Sequence, residues 1–207
     1  MMDLELIRKN LKGVLSQSRF LHSIGVEEVA CDMAVIFSYD MEKAGFAGLL
    51  HDCAKYLSDQ QLLVKCEEYH LPVSETERKC PFLLHGKVGA AFAQKIYGVE
   101  DEEILTSIVY HTTGRPAMSV LEKIIFIADY IEPYRKPIPR IDEIRSAAYL
   151  DLDLAVVMTA ENTLKYLKNS GSVIDTLTIE TYEYYKTVIR DSQVMKGDYN
   201  GRFKENG

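Results

Sequence analysis

Apolar residues recur along this chain at intervals of three and four, the spacing that lines one face of an α-helix. No convincing series of alternating apolar and polar residues marks a set of strands. Residues Leu4–Leu15 read as a first helix, and Val26, Val29, Ala30, Met33 and Phe37 form an apolar stripe within a second over His22–Tyr39. Over Met41–Ala54, Ala44, Ala47, Gly48 and His51 share a face, small enough for another helix to approach closely. Ser58 with Gln61, Ser74 with Glu77, and Ser119 with Glu122 have the spacing of capping boxes and predict three helix starts. Leu84–Tyr97 should stop at Gly98, and Glu102–Thr112 near Gly114 and Pro116. The stretch Ser119–Glu132 is apolar on nearly every side, so it should be buried until Pro133 ends it. Two more helices are expected over Leu152–Lys168 and Thr178–Ile189. The pattern is that of an all-α helical bundle, one domain over residues 1–190 followed by a polar C-terminal tail over 191–207. Between the helices, Pro133–Arg140 carries three prolines and three basic residues and reads as a stiff cationic surface loop or a simple linker.

Composition narrows the partners. With 207 residues, 47% hydrophobic, the chain can bury a substantial core. Its formal charge of -7 argues against nonspecific binding to nucleic-acid polymers or membrane surfaces, although a local cation can still attract an anionic substrate. Cys31, Cys53, Cys66 and Cys80 form no C-x-x-C pair, so free thiols in a reducing, cytoplasmic setting are the expectation. The N-terminal stretch lacks a signal peptide's apolar segment, and the run Ile124–Ala128 is too short to cross a bilayer.

Candidate chemistry rests on the histidines. Four of the five, His22, His51, His85 and His111, fall near the ends of expected helices. Asp52 directly follows His51, and Asp129 closes the apolar Ile-Ile-Phe-Ile-Ala run. A lone buried carboxylate costs several kcal/mol unless paired, protonated or metal-bound, so Asp129 needs a partner. A single histidine on an apolar face is more often a hydrogen-bonded core residue than a ligand. The ordered set His, His-Asp, His, His, Asp on successive helices points instead to one or two divalent transition-metal ions. Asp52 has two oxygens and could bridge two ions, while Lys55 lies one turn on and could reach a phosphate beside them. Mixed nitrogen and oxygen ligands suit iron, manganese, zinc or nickel alike.

That order resembles the HD-domain metal phosphohydrolases, in the variant with two additional histidines. The segments Arg19-x-x-His22-Ser23, Leu50-His51-Asp52-Cys53-Ala54-Lys55, His85-Gly86, Tyr110-His111-Thr112-Thr113-Gly114 and Ile127-Ala128-Asp129-Tyr130-Ile131-Glu132-Pro133 are similar to one branch, the YqeK-like symmetrical bis(5'-nucleosyl)-tetraphosphatases. The likeness spans about residues 15–185. It implies an HD-domain bundle, hydrolysis of diadenosine tetraphosphate to two ADP, an iron-containing site and often a homodimer. Carried over by position, His22, His51, Asp52 and Asp129 match primary metal ligands. His85 and His111 match the extra pair that holds a second ion or the substrate phosphates. Asp52 and Lys55 become the catalytic pair, with Cys53 and Ala54 beside them on the substrate side and a backbone amide of Cys53 near phosphate. Arg19, Lys55, Gly114 and Arg135 fall where the branch contacts nucleotide.

Two segments depart from the branch: Lys136-Pro137-Ile138-Pro139-Arg140, where relatives usually have a shorter stretch ending Pro-Gly, and Asp175-Thr176, where they often carry His-Pro. Both bear on base recognition more than on the metal chemistry. An HD phosphohydrolase of mononucleotides or of a guanosine polyphosphate alarmone, a non-catalytic metal and nucleotide sensor, and a purely structural bundle are the alternatives. Tyr166, Tyr182, Tyr184 and Tyr185 read as core or interface aromatics, and His70 as a surface or helix-end residue.

Overall fold

The computed structural model describes residues 3–202, with side chains described through Ser192. Eleven helices follow one another along them: α1 Leu4–Val14, α2 Gln17–Ile36, α3 Met41–Leu50, α4 Asp59–Glu68, α5 Glu75–Lys79, α6 His85–Lys95, α7 Glu102–Tyr110, α8 Val120–Ile131, α9 Ile141–Ala148, α10 Leu152–Ser170 and α11 Thr176–Arg202, with a 3-10 turn at Pro81–Leu84 before α6. The described residues contain no strand. Nor is any described helix long and apolar enough to cross a membrane.

Short polar side chains set the helix starts. All three expected capping boxes form, at Ser58, Ser74 and Ser119. Asp40, Asp101 and Asp151 each accept two free amides at the starts of α3, α7 and α10. Ser16 caps α2, so this helix begins a turn earlier than its apolar stripe suggested and His22 lies within it. At the other end of α3 the helix stops at Leu50, and His51–Tyr56 continue as turns. The helix α9 was not expected. It is short and follows the proline run, although Ile141, Ile144, Ala147 and Ala148 mark its inner face and Asp142 and Glu143 its first turn. Polarity alone does not end a helix, and α11 continues through Arg202, past the expected end at Ile189 and into the expected tail. Residues 203–207 of that tail lie outside the described residues.

The buried α8 is the centre of the packing. It touches α2, α3, α7, α9 and α10, and Leu121, Ile124, Ile125, Ile127 and Ala128 are fully enclosed. Against it, α2 and α3 form the most extensive helix pair. Their approach is set by Gly48, where a Cβ would stand 2.9 Å from the Glu27 Cα and 3.1 Å from its nitrogen. Gly86 allows the same closeness between α6 and α7, since its Cβ would meet the Val109 carbonyl oxygen at 2.7 Å. Tyr185 on α11 is buried and its hydroxyl accepts the Met118 amide at 2.7 Å, which fixes the last helix to the start of α8. Tyr182 is half-buried, whereas Tyr166 and Tyr184 face outward rather than into the core. His70 ends α4 in the left-handed region, exposed as expected.

Because backbone rather than a movable side chain opposes it, Gly48→Ala should destabilise the protein by about 1–3 kcal/mol. Chemical denaturation of the metal-free protein at neutral pH measures this directly.

Candidate metal centre

The packing of α2, α3, α6, α7 and α8 carries all six candidate ligands to one place. His22 projects from α2, His51 is the C-cap of α3, His85 opens α6, His111 is the C-cap of α7 and Asp129 sits in the last turn of α8. Three helices thus turn their carbonyl ends toward the cluster, and the negative end of a helix favours a cation.

Each ring is fixed through its Nδ1. That of His51 bonds the Gly48 carbonyl oxygen at 2.6 Å, that of His111 the Ile108 oxygen at 2.7 Å, and that of His85 the Phe82 oxygen. All three acceptors stand three residues earlier in the chain. The His22 Nδ1 bonds Glu132 Oε1 at 3.0 Å. Oxygen acceptors require Nδ1 to carry a proton, so the neutral ring keeps its Nε2 lone pair free. All four Nε2 atoms point at the same space: His22 and His51 are 3.2 Å apart there, His85 and His111 3.0 Å. Two neutral rings in this tautomer cannot hydrogen-bond to each other through Nε2. A shared ion can satisfy both, because nitrogens ~2.1 Å from one ion at angles near 90–109° stand about 3.0–3.4 Å apart.

Asp52 lies between the two pairs. Its Oδ2 faces His22 at 3.7 Å and His51 at 3.5 Å, while Oδ1 faces His85 at 3.3 Å and His111 at 3.5 Å. Asp52 is only 2% exposed, yet Oδ1 makes no hydrogen bond. An orphaned buried oxygen among imidazole lone pairs fits a metal ligand. Asp129 Oδ1 completes the first side at 3.1 Å from the His22 Nε2. Two overlapping groups, His22–His51–Asp129 and His51–Asp52–His111, have geometry able to hold an ion.

Basic side chains rim the cluster. Arg19 Nη1 pairs with Asp52 Oδ2 at 2.6 Å, and Arg135 Nη2 with Asp129 Oδ1 at 2.8 Å. Lys55 Nζ stands 2.9 Å from the His85 Nε2 and 3.7 Å from Asp52 Oδ1. Burial pushes the Asp52 carboxyl up, but His51, Lys55 and His111 outweigh it and hold the group well below the usual carboxylate range. Asp129 is likewise held well down against burial by His22, Arg135 and His51. Burial lowers His51 and also Lys55. Burial and then the Lys55 charge lower His85 to about 4. In His22, Asp129 and Glu132 overcome burial and raise the ring.

Other expected residues lie elsewhere or face away. The Cys53 amide, read as near phosphate, donates to the Leu50 carbonyl at 3.0 Å. The Cys53 thiol points at the Gly89 carbonyl, and Ala54 is fully buried in the core. Gly114 is in the left-handed region (φ 63°), and a Cβ there would meet Thr181 at 2.7 Å. Close packing on α11 therefore explains this glycine. Asp175 accepts the Leu177 amide, so the Asp175-Thr176 pair serves to start α11. Two residues near the cluster carried no separate role in the sequence reading. Thr112 Oγ1 lies 3.2 Å from His85 Nε2 and 3.1 Å from His111 Nε2. Glu132 holds His22, and its signal was a second carboxylate one turn after Asp129 on the same apolar helix.

Beside His22, a cleft of about 300 Å³ is lined by Ser18, Arg19, Glu132, Tyr134, Arg135, Lys136 and Ile138. A larger one, about 540 Å³, opens between the end of α4 and helices α6 and α7, and none of the six candidate ligands lines it.

An all-helical bundle with a His-Asp doublet at the end of one helix and further histidine and aspartate ligand candidates from its neighbours is an HD-domain protein, and the HD domain family matches residues 19–134. The symmetrical bis(5'-nucleosyl)-tetraphosphatase of Bacillus subtilis is 37% identical over 174 residues, 84% of this chain and 92% of the relative. That of Staphylococcus aureus is 38% identical over 186 residues, 89% and 95% of the two chains. A solved structure from Clostridium acetobutylicum, described as a predicted HD superfamily hydrolase involved in NAD metabolism, superposes with a TM-score of 0.87 at 41% identity, covering 90% of this chain and 98% of that one. The chain belongs to the YqeK-like, symmetrical bis(5'-nucleosyl)-tetraphosphatase family of HD proteins.

The shifted groups give the metal-free protein a defined acid response. His85 titrates near 4 when folded and near 6.5 when unfolded, so the unfolded chain takes up its proton first. Stability should therefore fall as pH drops from about 6.5 to about 4, by roughly 3 kcal/mol for this group. The lowered His51 has the same sign. Asp52 and Asp129 also have the same sign, but lose their contribution further down, below the usual carboxylate range. The raised His22 has the opposite sign, its contribution being lost as pH rises through its folded value. Thermal melts across this range should show the loss, and His85→Gln should flatten it.

Proposed function

We propose that this chain hydrolyses diadenosine tetraphosphate symmetrically to two ADP at the His-Asp centre. The seating of Asp52 carries the reading: one buried carboxylate offers an oxygen to each of two histidine pairs, with three cations at the rim. His22, His51 and Asp129 would hold one divalent transition-metal ion, and His85 and His111 a second ion or the substrate phosphates, with Asp52 between them. The family resemblance supports iron as the metal and a homodimer as the assembly. Four free cysteines are in keeping with a reducing, cytoplasmic setting. When bound, such an ion acidifies water and polarises a phosphoryl oxygen.

The chain's own groups supply the rest. Asp52 stays ionised at neutral pH and keeps one oxygen toward each histidine pair. The Nδ1 hydrogen bonds hold the four rings in one tautomer, so no reorganisation is needed when charge develops. Arg19, Lys55 and Arg135 exchange their carboxylate or imidazole partners for phosphate oxygens and offset their charge. The cleft bearing Arg19, Arg135 and Lys136 takes one nucleoside diphosphate unit and leaves its terminal phosphorus at the centre. ADP departs readily as an anion, so the chain needs no strong general acid for the leaving oxygen.

Protein reloaded anaerobically with ferrous iron should convert diadenosine tetraphosphate to ADP alone, read by chromatography of the products. ATP plus AMP would overturn the position of attack. Turnover confined to mononucleotides or a guanosine polyphosphate would replace the substrate. Asp52→Ala should lower kcat by more than the ~10–100-fold that losing an outer hydrogen-bond partner of a metal ligand costs, with the helical circular dichroism kept.

A further inference from the structure

One buried carboxylate beside the cluster has no basic side chain of its own. Glu132 is 1% exposed and caps the C-terminus of α8, where the negative helix end opposes its charge. Among the described residues its carboxylate pairs with no lysine or arginine, only with His22. Its Oε1 accepts the His22 Nδ1–H at 3.0 Å, and its Oε2 accepts the Tyr134 amide at 2.5 Å. Gly25, one turn after His22, makes the room: a Cβ there would stand 2.8 Å from Oε2 and 2.9 Å from the Tyr134 ring.

The other three histidines donate Nδ1–H to neutral carbonyl oxygens. A carboxylate draws on that proton more strongly, and the effect reaches the opposite nitrogen as greater basicity toward a cation. Across the cluster the bias runs the other way, because the Lys55 ammonium lies 2.9 Å from the His85 Nε2, against the very atom a cation would need.

We propose that Glu132 is a positioning residue that makes the two halves of the centre unequal, so that the half built on His22 and Asp129 takes the tight cation and the half built on His85 and His111 the weak one. The same carboxylate, by holding the Tyr134 amide, sets the direction in which the chain leaves α8 toward Arg135. The inference rests on the metal-centre reading above.

Calorimetric titration of the metal-free protein with manganous ion tests it. In Glu132→Gln the first binding step should weaken by about 10–100-fold while any later, weaker step is unchanged. His111→Asn should spare the first step and remove the later one, which tests the assignment of the two halves. If Glu132→Gln does not fold, Glu132→Asp, whose shorter carboxylate is drawn back from His22, should weaken the first step in its place. A first step that keeps its affinity in Glu132→Gln, or is lost in His111→Asn, overturns the assignment. If the unsubstituted protein binds no manganous ion, the metal centre falls with it; binding there with an unaffected Glu132→Gln sinks the Glu132 role alone.

Discussion

Two carboxylates and four imidazole lone pairs stand within a few ångströms of one another, the imidazoles and Asp52 buried and Asp129 half-buried. Such a group is tolerable only when positive charge stands among it. That electrostatic requirement runs through the whole centre. The last carbonyls of α3 and α7 are not wasted on solvent, because His51 and His111 turn back and donate to them. The same hydrogen bonds that finish those helices leave the ring nitrogens facing inward as acceptors. Local helix chemistry and metal chemistry are served by one set of contacts.

The rim answers the same requirement from outside. Arg135 reaches Asp129 because the chain turns at Pro133, and the segment beyond it is held at several points. Asn162 on α10 donates to the Pro139 carbonyl oxygen and the Tyr130 hydroxyl, while Arg140 pairs with Glu143 and Glu161. Arg145 on α9 donates to the carbonyls of Ile131 and Glu132. The proline-rich connection is therefore strapped to two helices that contribute nothing to the ligand set. The segment is held by a clamp on α10 rather than left as a loose excursion.

Much of this was legible in the sequence, for identifiable reasons. Capping boxes are local, so Ser58, Ser74 and Ser119 could be read without any tertiary knowledge. The small face Ala44, Ala47, Gly48 announced a close helix contact, and the isolated Asp129 announced a partner. The helix α9 escaped because an eight-residue amphipathic turn after prolines is too short for periodicity to separate from a loop. The partner of the Cys53 amide was not legible, because the end of α3 at Leu50, and the turn that occupies that amide, depend on His51 acting as a cap. Glu132 was visible as a residue but not as a partner of His22. Their separation of 110 positions is closed only by the packing of α8 on α2.

Gly48 stands three residues before His51, and the backbone it touches, Glu27, stands five after His22. The spacing between these two rings is thus gauged by main chain against main chain, with no side chain as the spacer. Substitutions elsewhere between α2 and α3 can accumulate over evolutionary time without resetting that gauge. The ring spacing tolerates such changes because the ruler is made of peptide rather than of side chains.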